Sequence, residues 1–256
     1  MTFDITAYPH ETVACNQCGG TDHSWVAQWD RYGLAVTTVQ CEACKLRFIN
    51  PRMTAEGYAE FYQKHYRPLV KSVNRAPHDA ALAAVHRQMY VDLILKHAGA
   101  LPPSARLLDL GGSTGMVARG FKARYGCTCT VVDPAPQELE EAKDVGTTIC
   151  ASAEDVTFPA ESFDAIVICR TIEHLRDPKG VLQRARTWAA PGAVLVVDAM
   201  DASRWNVNHR YKVDHPYAFT AATFRRMVTS AGWNITGSWL RRNGQYIGLV
   251  CRPEES

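Results

Sequence analysis

From Arg106 to Ala199 the chain alternates short apolar runs with helical stretches, and that alternation constrains the fold more than any other feature. The apolar runs are Arg106–Leu110, Cys127–Val132 ending at Asp133, Thr147–Ala151, Phe163–Cys169 and Ala193–Ala199. Between them Met116–Tyr125, Gln137–Val145 and Lys179–Ala190 read as helices. Strands alternating with helices imply a parallel sheet with right-handed crossovers. Runs that are apolar throughout imply strands covered on both faces. Thr220 to Ala231 reads as a further helix, with Thr220 as N-cap and Gly232 as the glycine that ends it. Trp233–Leu240 and Tyr246–Cys251 follow, joined through Asn243-Gly244, a hairpin signal. The expected class is α/β: a doubly wound, seven-stranded, mostly parallel sheet with an antiparallel far edge.

Upstream, His78 to Ala98 reads as a helix whose apolar face holds Leu82, Val85, Met89, Leu93 and the neighbouring Val91 and Ile94. Gly99 and Pro102-Pro103 stop it. Hydrophobic residues make up 46% of the chain and charged residues 21%, which excludes wholesale disorder. Lys and Arg number 28 against 26 Asp and Glu, a net of +2, too near neutral for a surface coated toward nucleic acid or acidic membrane. No apolar run approaches the ~18 residues of a membrane span. The first residues hold Asp4, His10 and Glu11 without an apolar core, unlike a secretory leader. A cytoplasmic protein is expected, with its nine cysteines as thiols or metal ligands rather than disulfides.

Four of those cysteines, Cys15, Cys18, Cys41 and Cys44, form two C-x-x-C pairs in the spacing C-x2-C-x22-C-x2-C. Two such knuckles suit tetrahedral Zn2+ with bonds of ~2.3 Å. Four protein ligands leave no open coordination position, so the metal is expected to be structural. Gly19-Gly20 continues the first knuckle, whereas Lys45 continues the second. Trp25–Trp29 and Leu34–Val39 can form a small hairpin between the pairs. The other five cysteines lie in apolar surroundings and read as core. Residues 1–80 carry eight Lys/Arg and eight Asp/Glu, so the ribbon is not a basic nucleic-acid surface, although residues 45–75 are locally basic, seven against two.

Leu107 to Gly115 (LLDLGGSTG) is strand, acidic residue, glycine turn and helix start. Such a turn brings backbone N–H groups to a ligand at a helix N-terminus. The next strand ends at Asp133, 22 residues after Gly111, where a carboxylate can hold both hydroxyls of a ribose. That much fits a nicotinamide dinucleotide or another adenosine cofactor. The dinucleotide form G-x-G-x-x-G is absent. Gly111-Gly112-Ser113-Thr114-Gly115 instead resembles the D-x-G-x-G-x-G turn of class I S-adenosylmethionine-dependent methyltransferases, with Ser113 replacing the middle glycine. Ala153–Pro159 with Phe163-Asp164, Thr171–Pro178 (TIEHLRDP) and Ala190-Pro191-Gly192 resemble further motifs of that family, in order. The resemblance implies S-adenosyl-L-methionine as cofactor. It places Asp109, Gly111, Gly112 and Gly115 at the turn and Asp133 on the ribose. It sets Ala153 and Glu154 beside the adenine, chiefly through backbone, and Arg170 or Thr171 toward the methionine moiety.

The cysteine ribbon, then Asn50-Pro51-Arg52, then Phe61–Arg67 and this core, resembles methyltransferases of sugar and polysaccharide biosynthesis. The implied organisation is residues 1–50 as a zinc-ribbon-like module, 51–104 as a helical linker and lid, and 105–256 as the cofactor-binding domain. Tyr62 and Tyr66 are candidates to close over the cofactor. The implied acceptor is a small molecule, a hydroxyl of a sugar or nucleotide-linked sugar, with no nucleic acid and no membrane. An RNA methyltransferase, or C- or N-methylation of a sugar intermediate, are the alternatives. Hydroxyl methylation profits from a base. His174 follows the fourth strand and His215 lies in the polar, aromatic connection Asp201–Phe219, so both are candidates. Each would titrate near pH ~6.5 if unperturbed. In the same connection His209, Arg210 and Lys212 could meet a phosphate.

Overall fold

A computed structural model describes residues 3–66, 68–69, 80–205, 211–241 and 243–254. Seven strands form the main sheet: β6 (Arg106–Leu110), β7 (Thr128–Asp133), β8 (Thr147–Cys150), β9 (Phe163–Ile168), β10 (Ala189–Met200), β12 (Trp233–Arg241) and β13 (Tyr246–Pro253). Their order is β12-β13-β10-β9-β6-β7-β8. β8, β7, β6, β9 and β10 run parallel, and β13 is antiparallel to both β10 and β12. This is the expected class, with the expected antiparallel edge.

The continuous apolar runs divide by alternation between two cores. Leu108, Leu110, Ile166, Ile168, Leu195 and Val197 face one cluster, and Leu107, Ala165, Val167, Val194 and Val196 the other. The first face is covered by α5 (Pro178–Trp188) and α6 (Ala221–Ser230), which bury Val181, Leu182, Trp188, Phe224 and Met227. The second is covered by α2 (Ala80–Ala98), α3 (Met116–Tyr125) and α4 (Pro136–Ala142). Thr220 caps α6 with a reciprocal pair of hydrogen bonds to Thr223. The buried face of α2 is Tyr90, Val91, Ile94, Leu95 and Ala98, whereas Val85 and Met89 are exposed. The periodicity thus admits two neighbouring faces, and packing on the sheet selects the one carrying Tyr90. Positions 78 and 79, where the helix was expected to start, lie outside the described residues. β10 starts earlier than expected: Ala189 pairs with Phe163, then a bulge at Pro191-Gly192 shifts the register before Val194.

The N-terminal residues build a second sheet. β2 (His23–Trp29) and β3 (Ala35–Cys41) form the expected hairpin, and β4 (Arg47–Ile49) pairs with β3. The fourth strand, β11 (Tyr217–Ala218), comes from the connection after β10, with Tyr217 opposite Phe48. β1 (His10–Glu11) pairs with β5 (Arg52–Met53), and α1 (Ala55–Lys64) follows, capped by Thr54. Cys15, Cys41, Cys44, Leu46 and Phe48 belong to the same buried cluster as the first face of the main sheet. Among the described residues no helix is long and apolar enough to cross a membrane.

Candidate functional site

The strand order reverses between β6 and β9, and open α/β sheets bind ligands at the carboxyl edge beside such a reversal. Two segments meet there. Gly111 follows β6 with φ +71°, and a Cβ on it would lie 2.3 Å from the side chain of Thr171, which follows β9. Gly112 has no room either, since a Cβ would sit 2.6 Å from Val131 and 2.8 Å from the Asp109 carboxyl carbon. Both amides donate to the Val132 carbonyl, at 2.8 and 3.1 Å. Ser113 takes φ +50°, a left-handed conformation that costs a non-glycine residue ~1–2 kcal/mol. Its amide donates to Asp133 Oδ2 at 2.9 Å and its hydroxyl to Glu138, which offsets that cost. Gly115, φ +71°, then leads into α3 against Ala142.

The candidate cofactor residues fall into different places. Asp109 lies beneath the turn, fully buried, and accepts from the Ala118 amide at 3.2 Å. Burial, with the Asp133 charge adding to it, lifts its pKa to about 7. Asp109 therefore braces the turn from below. Asp133 stands at the end of β7 and accepts from the Ser113 amide and, at 2.9 Å, from the Ala135 amide. These bonds orient the carboxylate at the end of the strand. Ala153 is buried. The Glu154 carboxylate accepts from the Asp177 amide at 2.7 Å and the Ser152 hydroxyl at 3.0 Å, so its side chain secures the start of α5. Arg170 has φ +55°, and its amide donates to Asp198 Oδ1 at 2.6 Å.

His174 and His215, 41 positions apart, come together with ring centroids 4.4 Å apart, edge to face. His174 lies in a short 3-10 turn, Ile172–His174, after β9. Its Nδ1 is 3.0 Å from the Tyr62 hydroxyl, and Tyr66 stands with its ring centroid 6.1 Å away. His215 Nε2 is 3.4 Å from Lys212 Nζ and 3.6 Å from Asp214 Oδ2. Burial, then the Lys212 and Arg170 cations, bring His174 down to about 3. Burial, then Lys212, hold His215 well below its ordinary value. A histidine titrating near its ordinary value is thus not what the fold provides: both rings are neutral at physiological pH. Burial, with Asp198 adding to it, lifts Glu173 to about 7. His174, Asp214 and His215 have ligand-type atoms within 4.8 Å of one another, and the Lys212, Arg170 and Arg31 cations all act on His215 there. His209 and Arg210, with Asn206 and Asn208, lie outside the described residues.

The sulfurs of Cys15, Cys18, Cys41 and Cys44 all lie within 4.8 Å of one another, with Cys15 and Cys44 3.4 Å apart and Cys18 and Cys41 3.5 Å apart. A tetrahedron with ~2.3 Å bonds has edges of ~3.8 Å, so the four thiols fit a Zn2+ ion. Both knuckles turn alike. Gly19 donates to the Cys15 carbonyl at 2.7 Å with φ +74°, and Lys45 donates to the Cys41 carbonyl at 2.9 Å with φ +65°. Lysine thus fills the left-handed position that glycine fills in the first knuckle. Burial opposes ionisation of Cys41, but the Cys44 amide and Cys18 thiol outweigh it and bring the thiol down to about 7. The knuckles are tied to the main domain: Asn16 donates to Asp177 at 2.7 Å and Arg226 to the Cys44 carbonyl at 2.7 Å.

Sequence reasoning missed Asp198. It sits inside β10, fully buried, accepting from the Tyr90 hydroxyl at 2.5 Å and from the Arg170 amide. A lone carboxylate in the apolar run Val194–Met200 was the available signal. Asp30 was missed too; it accepts from the Tyr32, Leu34 and Val213 amides and so ties the β2–β3 turn to the connection after β10.

Residues 82–237 match the family described as a methyltransferase domain, and the chain belongs to that family. A 2-methyl-6-phytyl-1,4-hydroquinone methyltransferase of Oryza sativa subsp. japonica is 31% identical over 107 residues, covering 39% of this chain and 31% of that protein. A ubiquinone biosynthesis O-methyltransferase of Xanthomonas axonopodis pv. citri is 29% identical over 108 residues, covering 39% of this chain and 45% of the relative. The chain thus spans about a third to a half of these relatives' lengths. Among solved structures, the cyclase SpnF superposes with a TM-score of 0.58 at 15% identity, over 66% of this chain and 81% of that one. At that identity the likeness shows the fold alone.

Proposed function

We propose that this chain transfers a methyl group from S-adenosyl-L-methionine to a hydroxyl of a small-molecule acceptor. One observation carries the reading: at the point where the strand order reverses, the Gly111–Gly115 turn and the oriented Asp133 carboxylate meet the segment that carries Thr171 and His174. When bound, the cofactor supplies a methyl group on a positively charged sulfur, which leaves as a neutral thioether once the methyl is transferred. Gly111, Gly112 and Gly115 let the turn pass close against Thr171, Val131 and Ala142, where a side chain would not fit, and so bring its backbone to the cofactor, and Asp133 takes the ribose. Ala153 and the backbone of Glu154 flank the adenine, and Arg170 or Thr171 the methionine end. Tyr62 and Tyr66 of the 51–104 segment close the site from the side of His174. Positioning of the acceptor supplies most of the rate.

The cysteines hold a structural Zn2+ that stabilises residues 1–50 and, through α5 and α6, the surface of residues 105–256. For the acceptor, Lys212 offers an ammonium 3.4 Å from His215 Nε2 and over the face of Trp205, with the Asp214 and Glu173 carboxyls also acting on it. An anionic acceptor such as a nucleotide-linked sugar, as the N-terminal resemblance implies, would satisfy it. The curated relatives are named for a hydroquinone and for ubiquinone biosynthesis instead. The test is a panel of sugars, nucleotide sugars and phenols incubated with methyl-labelled cofactor. Label in a hydroxyl-bearing product supports the reading; label only on carbon or nitrogen, or none, contradicts it.

A further inference from the structure

Resting on the reading that this site methylates a hydroxyl, we propose that Tyr62 is a positioning residue that fixes His174 as its Nδ1–H tautomer. The bare Nε2 is thereby presented to the acceptor. One assignment satisfies these hydrogen bonds together. Tyr62 has a single hydroxyl hydrogen. It lies 3.0 Å from the Asp214 carbonyl, which can only accept, so the hydrogen goes there. The same Tyr62 oxygen lies 3.0 Å from His174 Nδ1 and, with its hydrogen spent, can only accept from it. Nδ1 therefore carries a hydrogen. A neutral imidazole has one N–H, so Nε2 holds a lone pair. The Asp214 carbonyl is also within reach of the His174 ring; in this assignment it is served by the Tyr62 hydrogen, and His174 keeps part of its surface exposed.

The neighbouring histidine is excluded from the same role. Lys212 Nζ donates toward His215 Nε2 at 3.4 Å, which occupies the lone pair of that ring. Its Nδ1 then carries the hydrogen, buried without a hydrogen-bond partner among the described residues. On this assignment His174, of the two rings, is the one whose acceptor is left for the substrate among the described residues. The charged and titratable groups around it are Lys212, Asp214 and His215 from the connection after β10, Arg170 and Glu173 from the segment after β9, and Tyr62 and Tyr66 from the N-terminal side. Tyr62 is itself held by aromatic neighbours, with Tyr58, Phe61 and Tyr66 centroids 6.4, 5.3 and 5.1 Å away.

The consequence is a weak base that is always ready. Held neutral, Nε2 is bare at every physiological pH. An acceptor oxygen that has begun to bond carbon becomes strongly acidic, so even a weak imidazole takes its proton. The O–H bond breaks, the oxygen keeps the electron pair, and the proton arrives on Nε2. The Nδ1–H to Tyr62 to Asp214 carbonyl chain points its negative ends at the ring and stabilises the imidazolium that results.

The test uses the full chain with 15N-labelled histidine, read by long-range nitrogen–proton correlation, with His174 assigned by its absence in His174→Asn. The expected pattern is Nδ1–H with a bare Nε2, unchanged from pH 6 to 8. In Tyr62→Phe the ring should redistribute toward Nε2–H. With the acceptor found by the panel, kcat should fall about 10-fold or more, less than the ~10²–10⁴-fold expected on removing the base itself. Acceptor KM, and affinity for S-adenosylhomocysteine by calorimetry, should hold within about twofold, a split that lost packing would not give. An Nε2–H pattern in the wild type overturns the proposal even if Tyr62→Phe does not fold, and so does wild-type kcat in that variant. Absence of S-adenosylhomocysteine binding overturns the methyl-transfer reading alone and leaves the tautomer assignment standing.

Discussion

Asp109 shows how a motif residue can act from beneath a turn, where its carboxyl accepts from the Ala118 amide. Its neighbours Gly111 and Gly112 were legible because a turn after a strand needs left-handed or uncovered backbone, and both are hemmed in by Thr171, Val131 and Asp109 itself. The direction of the Asp109 side chain was not legible, since a strand's pleat sets it and a register of one residue reverses it. Its burial has a measurable consequence. The native carboxyl holds its proton up to about pH 7, whereas the unfolded chain releases it near 3.8. Between those values the native state binds more protons, so this group's stabilising contribution is complete below the unfolded value and is lost as pH rises through the window. Asp109→Asn should remove that loss. Its stability relative to wild type should improve with pH by up to ~1.4 kcal/mol per unit between those two values, as read by denaturant unfolding at several pH values. A relative stability independent of pH would mean that the carboxyl ionises freely. His174 runs the opposite way, because a depressed histidine favours the native state above its ordinary value and loses that advantage as pH falls.

At the scale of elements, local signals and long-range pairings were unequally visible. The seven strands, the capped α6 and the cysteine hairpin announce themselves through apolar runs, Thr220 and the C-x-x-C spacing. β11 does not, because a two-residue strand such as Tyr217–Ala218 exists only where β4 presents an edge to it. The meeting of His174 with Tyr62 was equally hidden, since 112 positions separate them. Nor could spacing tell which nitrogen of which histidine would be free. The cysteine knuckles lend themselves to direct test. Four thiols this close need a cation once they ionise, and Cys41 is already brought down to about 7. Metal analysis of the purified protein should give about one zinc per chain, and a strong chelator should lower the melting temperature. Protein without metal whose Cys15 and Cys44 react freely with thiol reagents would contradict the assignment.

Across the whole molecule, the N-terminal sheet and the main sheet are stitched rather than strung together. Arg52 bonds the Arg176 carbonyl and the Tyr217 hydroxyl, Lys179 the Gln17 carbonyl, and Asp30 the Val213 amide. This brings Tyr62, Tyr66, His174 and His215 to one place, beside the edge where the glycine turn and Asp133 lie. That edge is therefore expected to take an adenosine cofactor through Asp133. Calorimetric titration of S-adenosylhomocysteine into the wild type and Asp133→Ala tests this most directly. The variant loses hydrogen bonds from a charged acceptor, a cost of ~1.5–3 kcal/mol, or about 10–150-fold in affinity. One site per chain in the wild type, that loss in the variant and no heat from a nicotinamide dinucleotide are the predicted result. Equal affinity in wild type and variant, or binding of the dinucleotide instead, would contradict it.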